Sequence, residues 1–134
     1  MKLIGEKGLL ELQRSELSER NILAESDILL NVTVEVTGYS ASDQSWVVGS
    51  DWDRFLTELR RLDERRQGRA VVLGALPEDL RLEFHSTDAA GHMAVKGHVG
   101  WHRADNHFVQ LRFGFSFEPD LLPSLVQELN GLRR

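Results

Sequence analysis

The stretch from Leu80 to Phe117 admits few folds. Apolar side chains alternate with polar ones at Leu80, Leu82 and Phe84, again at Met93, Val95, Val99 and Trp101, and again at Val109, Leu111, Phe113, Phe115 and Phe117. A period of two sends successive side chains to opposite faces of a strand, so the pattern predicts an antiparallel meander of three half-buried strands. Residues that face each other across such strands must share a side of the sheet. A four-residue loop, Asp88-Ala89-Ala90-Gly91, then sets Phe84 opposite Val95, Glu83 opposite Lys96 and Arg81 opposite His98. A three-residue loop, Ala104-Asp105-Asn106, with Asn106 in the left-handed position, sets Val95 opposite Phe115, Trp101 opposite Val109 and His98 opposite Arg112. The polar face is therefore expected to carry a row Arg81–His98–Arg112. Beside it lie the rows Glu83–Lys96–Gly114 and His85–Ala94–Ser116.

The rest of the chain supplies further strands and two helices. Residues 1–5 and 8–14 read as a hairpin about Glu6-Lys7-Gly8, and residues 15–27 as a polar loop. Leu30 to Thr37 alternates as a strand. Gly38 to Ser45 reads as a loop that exposes Tyr39, and Ser45 to Gly49 as a short strand. A helix follows, with Ser50 as the expected N-cap and Asp53 completing a capping box. Trp52, Phe55, Leu56, Leu59 and Leu62 form its apolar stripe, and Gly68 is its expected C-terminal stop. After a strand at Arg69 to Leu73 and the meander, a second helix is expected from Leu121 to Leu132. Asp120 would cap it, with Leu122, Leu125, Val126, Leu129 and Leu132 facing inward. The expectation is one α+β domain over residues 1–134, which is long enough for one core. It comprises an antiparallel sheet of about seven strands, ending in the three-strand meander and packed with two amphipathic helices.

Composition narrows the chemistry. With no cysteine there is no thiol nucleophile and no zinc–thiolate site. No apolar run approaches the roughly 20 residues that span a bilayer. The absence of cysteine fits a reducing cytoplasm, the expected location, and the opening Met1-Lys2-Leu3-Ile4-Gly5 lacks the long apolar stretch of a signal peptide; no membrane partner is expected. The net charge is −5; residues 1–53 contribute −6 and residues 54–134 contribute +1. An acidic chain disfavours nucleic acid and steers toward basic partners.

All five histidines, His85, His92, His98, His102 and His107, lie within 23 positions. Along a strand at about 3.3 Å per residue, His98 and His102 are roughly 13 Å apart, too far to share an ion. His85 with His92, and His102 with His107, flank turns as pairs without a third ligand. No Gly-x-Ser-x-Gly elbow and no phosphate-cradling glycine loop is present. No catalytic, cofactor-binding or metal-binding residue is therefore expected. In the turn before His92, Asp88 suits an Asx turn and Gly91 a positive φ. The mixed run Glu58, Arg60, Arg61, Asp63, Glu64, Arg65 and Arg66 reads as a solvated helix face.

Several short motifs, in order, resemble a known family. They are Gly38-Tyr39-Ser40, Trp46-Val47-Val48, Trp52-Asp53-Arg54-Phe55-Leu56, Glu58-Leu59 and Gly68-Arg69-Ala70. Leu80-Arg81-Leu82-Glu83-Phe84, the Asp88-x-x-Gly91-His92 turn and Phe115-Ser116-Phe117-Glu118-Pro119-Asp120-Leu121-Leu122-Pro123 continue the series. The chain thus resembles the WapI-type immunity proteins of bacterial polymorphic toxin systems over roughly residues 5–132. Pro119 departs from the usual pattern. The resemblance implies a cytoplasmic protein that binds and neutralises a cognate toxin domain without turnover. It carries no catalytic residues to this chain. It agrees with the acidic first part, because nuclease toxins tend to be basic. Tyr39, Arg81, His92, His98 and Arg112 are the candidate partner contacts. Alternatives are a small-ligand binder or metal-dependent enzyme using the histidine-rich outer face, and an oligomeric structural module.

Overall fold

The alternation from Leu80 to Phe117 folds as three antiparallel strands in the predicted register. The computed structural model describes residues 1–16, 26–102 and 107–132, apart from the side chains of Trp101 and His102. The meander strands are β6 (Leu80–Ser86), β7 (Met93–His102) and β8 (Phe108–Phe117). Phe84 lies opposite Val95, Glu83 opposite Lys96 and Arg81 opposite His98. Val95 lies opposite Phe115, Trp101 opposite Val109 and His98 opposite Arg112. The expected loop at Ala104-Asp105-Asn106 falls outside the described residues, as does most of the loop expected at 15–27.

The single sheet expected from the sequence is instead two. Strands β1 (Lys2–Ile4), β2 (Gly8–Arg14), β3 (Ile28–Val36) and β4 (Tyr39–Val47) form one antiparallel sheet in that order. Strand β5 (Arg69–Leu73) joins the meander in a second, in the order β5-β6-β7-β8. Helix α1 (Gly49–Arg65) separates them. It packs along β5, and Glu58 Oε1 accepts the N–H of Val71 at 3.2 Å. A helix side chain thus satisfies a strand donor, which keeps the β5 edge from pairing further. Glu58 is therefore a structural bond, where the charge pattern predicted a solvated position.

Strand β4 corrects the reading of Gly38 to Ser45 as a loop. Thr37 and Gly38 have φ of 34° and 86°, and nine paired residues follow them. Two consecutive positive φ values make the tight turn whose twist matches a hairpin. Tyr39 is consequently the first residue of β4, opposite Val36, and stays exposed.

Both helix N-termini also differ from expectation. The N-cap of α1 is Val48, with no cap from its own side chain. Asp27, far back in sequence, accepts the Gly49 N–H at 2.9 Å. At the C-terminus Arg66, with φ 56°, takes the left-handed position expected of Gly68. Its guanidinium reaches Asp63 and the carbonyl of Pro119, tying α1 to the segment before the last helix. That segment is a 3₁₀ turn, Pro119–Leu121, leading into α2 (Leu122–Gly131), and Asp120 caps neither.

The core draws on both sheets and both helices. Leu10, Leu12, Val32 and Val34 come from the first sheet, Leu82, Phe84 and Val95 from the second, and Trp52, Phe55, Leu125 and Leu129 from the helices. Burial fades along β8. Phe115 and Phe117 are buried, Leu111 and Phe113 half-buried, and Val109 exposed, although all five share the inward parity. There the sheets part around a hollow of about 440 Å³ between Ser40–Asp43 and Val109–Leu111. Gly97, in the middle of β7, allows close approach, since a Cβ there would overlap the Arg81 carbonyl.

Candidate partner-binding surface

Alternation in β5 to β8 directs one set of side chains into the core and the other away from it. The charged members of the outward set are mostly cations: Arg69 on β5, Arg81 on β6, Lys96 on β7 and Arg112 on β8. Glu83 stands among them on β6. Arg81 Nη2 donates to Glu83 Oε1 at 3.0 Å, and Arg69 Nη1 lies 3.8 Å from the same oxygen. Lys96 Nζ is 3.4 Å and His85 Nδ1 3.6 Å from Oε2. Long cationic side chains from three strands fold over this carboxylate and leave Glu83 only 5% exposed. Burial raises its pKa, but the bond from Arg81 and the charge of Lys96 outweigh it, so the carboxyl stays below its ordinary range.

The row Arg81–His98–Arg112 exists in the backbone, but its side chains diverge. Arg81 turns to Glu83, while His98 Nε2 meets the Pro77 carbonyl at 2.9 Å. Arg112 Nε donates to Gln110 Oε1 at 3.0 Å. Gln110 in turn donates to the Glu78 carbonyl, so the 77–79 loop is laced to β7 and β8 and borders the face. Arg81, Lys96, His98 and Arg112 line one shallow hollow of about 320 Å³.

The other two candidate contacts lie elsewhere. Tyr39 borders a separate hollow with Gly8, Leu9 and Glu35, at the hairpin end of the first sheet. His92 sits at the end of the second sheet, beside Ile4, Gly5 and Glu118. Its turn has the geometry expected of it. Asp88 Oδ1 accepts the N–H groups of Ala90 and His92, and Gly91 has φ 86°. His92 Nδ1 meets Asp88 Oδ2 at 2.6 Å. That bond raises the His92 pKa and lowers that of Asp88. Asp88→Ala should therefore lower the His92 pKa. An NMR titration of the imidazole checks this, and an unmoved midpoint would contradict the pairing.

Of the described histidine side chains, three each turn to a different partner: His85 to Glu83, His92 to Asp88 and His98 to a backbone carbonyl. Among the described residues no three histidine or carboxylate side chains gather as a metal site would require. No helix among them is long and apolar enough to cross a membrane. Sequence reasoning found the Glu83–Lys96 pair but missed Arg69, because the link 74–79 does not fix the pairing or register of β5 against β6.

A family model described as the Immunity protein WapI-like family matches residues 3–133. No curated protein and no solved structure matches the chain.

Proposed function

The chain belongs to the WapI-like immunity protein family, and on that premise we propose that it binds a cognate bacterial toxin domain and neutralises it by occupancy, without turnover. The observation that carries this reading is the family match across nearly the whole chain, from residue 3 to residue 133. A binding role asks for a rigid surface with fixed polar groups rather than a nucleophile and its base. The outward faces of the two sheets offer such surfaces, and His85, His92 and His98 are spread among separate partners. The protein acts in the cytoplasm of the cell that makes the toxin, as one folded domain.

Co-expression tests the proposal. The toxin domain encoded beside the gene should arrest growth alone. Growth should return when this chain is supplied, with a stoichiometric complex recoverable on size-exclusion chromatography. Unrelieved arrest, or relief without a complex, would overturn the reading.

A further inference from the structure

We propose that the outer face of the β5–β8 sheet is the surface that receives the toxin, and that the toxin surface seated there is acidic. The inference rests on the immunity reading and adds to it which face binds and what chemistry it meets. Arg69, Arg81, Lys96 and Arg112 place four permanent cations on the strands of this face against one strand carboxylate, Glu83, a balance of +3 on the strands, with Glu78 in the bordering loop, in a chain whose net charge is −5. Glu83 is buried beneath the cations, so a partner approaching from solvent meets their positive charge.

The cations are also held in place. Glu83 grips Arg81 and Lys96 at 3.0 and 3.4 Å, so these side chains have already lost part of the rotamer freedom that binding would cost. They rise from paired strands, which position a contact surface better than loops do. Helix α1 packs on β5 and β6, and α2 packs on α1, both through buried apolar stripes, so neither apolar stripe is spent on covering the outer face. The hollow between Arg81, Lys96, His98 and Arg112 suits an aspartate or glutamate side chain, which a guanidinium can engage through two parallel hydrogen bonds.

Protein carboxylates fit better than a phosphate backbone. A chain of net charge −5 repels a polyanion at long range more than it repels a protein surface carrying a few carboxylates. Three of the described acids of residues 1–53 are tied up or partly buried. Asp27 caps α1, Asp51 pairs with Arg54 and Asp43 is half-buried on β4.

The test uses the full chain and the purified toxin domain encoded beside its gene. Arg112 and Arg69 are the cations least needed for folding, since the Arg112 guanidinium donates to the side chain of Gln110 on its own strand and Arg69 is 70% exposed at 3.8 Å from Glu83. The double variant Arg69→Glu/Arg112→Glu should weaken binding about 20-fold, mainly through a slower association rate, and should flatten the dependence of that rate on salt. The control Arg61→Glu, on the exposed side of α1, should bind as the unaltered chain does. Circular dichroism melting establishes that each variant is folded. Should Arg112→Glu alone prove folded where the double variant is not, it carries the test with a smaller loss. Unaltered binding by a folded variant overturns the surface assignment and leaves the immunity reading standing. Loss of binding in the Arg61→Glu control as well would show a bulk charge effect and likewise overturn it. Tight, salt-sensitive binding of a DNA duplex by the unaltered chain, abolished in the double variant, would assign the face to phosphate instead. If the unaltered chain fails to bind the toxin at all, the immunity reading itself fails and the assignment with it.

Discussion

Phe84→Ala should destabilise the folded chain by about 4 kcal/mol, the range for truncating a fully buried aromatic side chain. Phe84 is 0% exposed and sits in the middle of an aromatic series. Its ring centroid lies 5.8 Å from Phe55 on α1 and 6.3 Å from Phe117 on β8, and Phe55 lies 5.4 Å from Trp52. Removing the ring empties a space bordered by a helix and two strands, which cannot all close in together. For a chain of this size the loss corresponds to a midpoint lowered by roughly 15 °C in a thermal melt. The same variant tests whether the two sheets fold as one unit, as we propose. Leu10 and Val34 of the first sheet and Leu82 and Val95 of the second share one buried cluster. Amide exchange should therefore speed up alike in β2, β3, β6 and β7. Retained protection in one sheet while the other exchanges freely would show two units rather than one.

The meander was legible because its contrast is high. Apolar residues at one parity and charged ones at the other leave a single register once two loop lengths are chosen, and a slip of one residue would bury Glu83 and Lys96 in the core. Strand β4 lacks that contrast. Ser40, Ala41, Ser42, Asp43, Gln44 and Ser45 are small or polar at both parities, as an edge strand tolerates, and only the positive φ values of Thr37 and Gly38 reveal the hairpin. The division into two sheets was hidden for another reason. Strand propensity does not say that α1 will lie along β5 and bond Val71 through Glu58. The cap of α1 was missed because its donor's partner, Asp27, is 22 residues away, whereas capping patterns in sequence are local.

The candidate surface was legible in outline only. Parity placed Arg81, His98 and Arg112 on one face in one row, and the backbone has that row. Parity says nothing about where long side chains turn, and Arg81 turns along its own strand to Glu83 while His98 turns to Pro77. Nor does it foretell that a carboxylate on the polar face will be covered by its neighbours. Arg69 enters only through the pairing of β5 with β6, where it stands opposite His85.

Glu83→Gln tests that covered carboxylate directly, and should cost about 2 kcal/mol near pH 7. Glutamine keeps the shape of the side chain and one acceptor oxygen, so what is lost is charge. Arg81, Lys96 and Arg69 would then face one another without the anion between them. Removing one partner of a fully buried pair costs about 3–5 kcal/mol. Here the side chains of the three cations are 33%, 56% and 70% exposed, so water screens much of the repulsion and the smaller figure applies. The pH dependence has a definite sign. The folded-state pKa of Glu83 is lowered from the ordinary glutamate value, so its stabilisation is fully present above that ordinary value and disappears as pH falls through the depressed folded-state value. Urea unfolding of both proteins should show a gap of about 2 kcal/mol at neutral pH that closes as the solution is acidified below about pH 4. A gap that stays constant with pH would mean that glutamine disturbs packing rather than charge. Equal stability at every pH would mean that the cations do not need their anion, and the held geometry of the outer face would lose its cause.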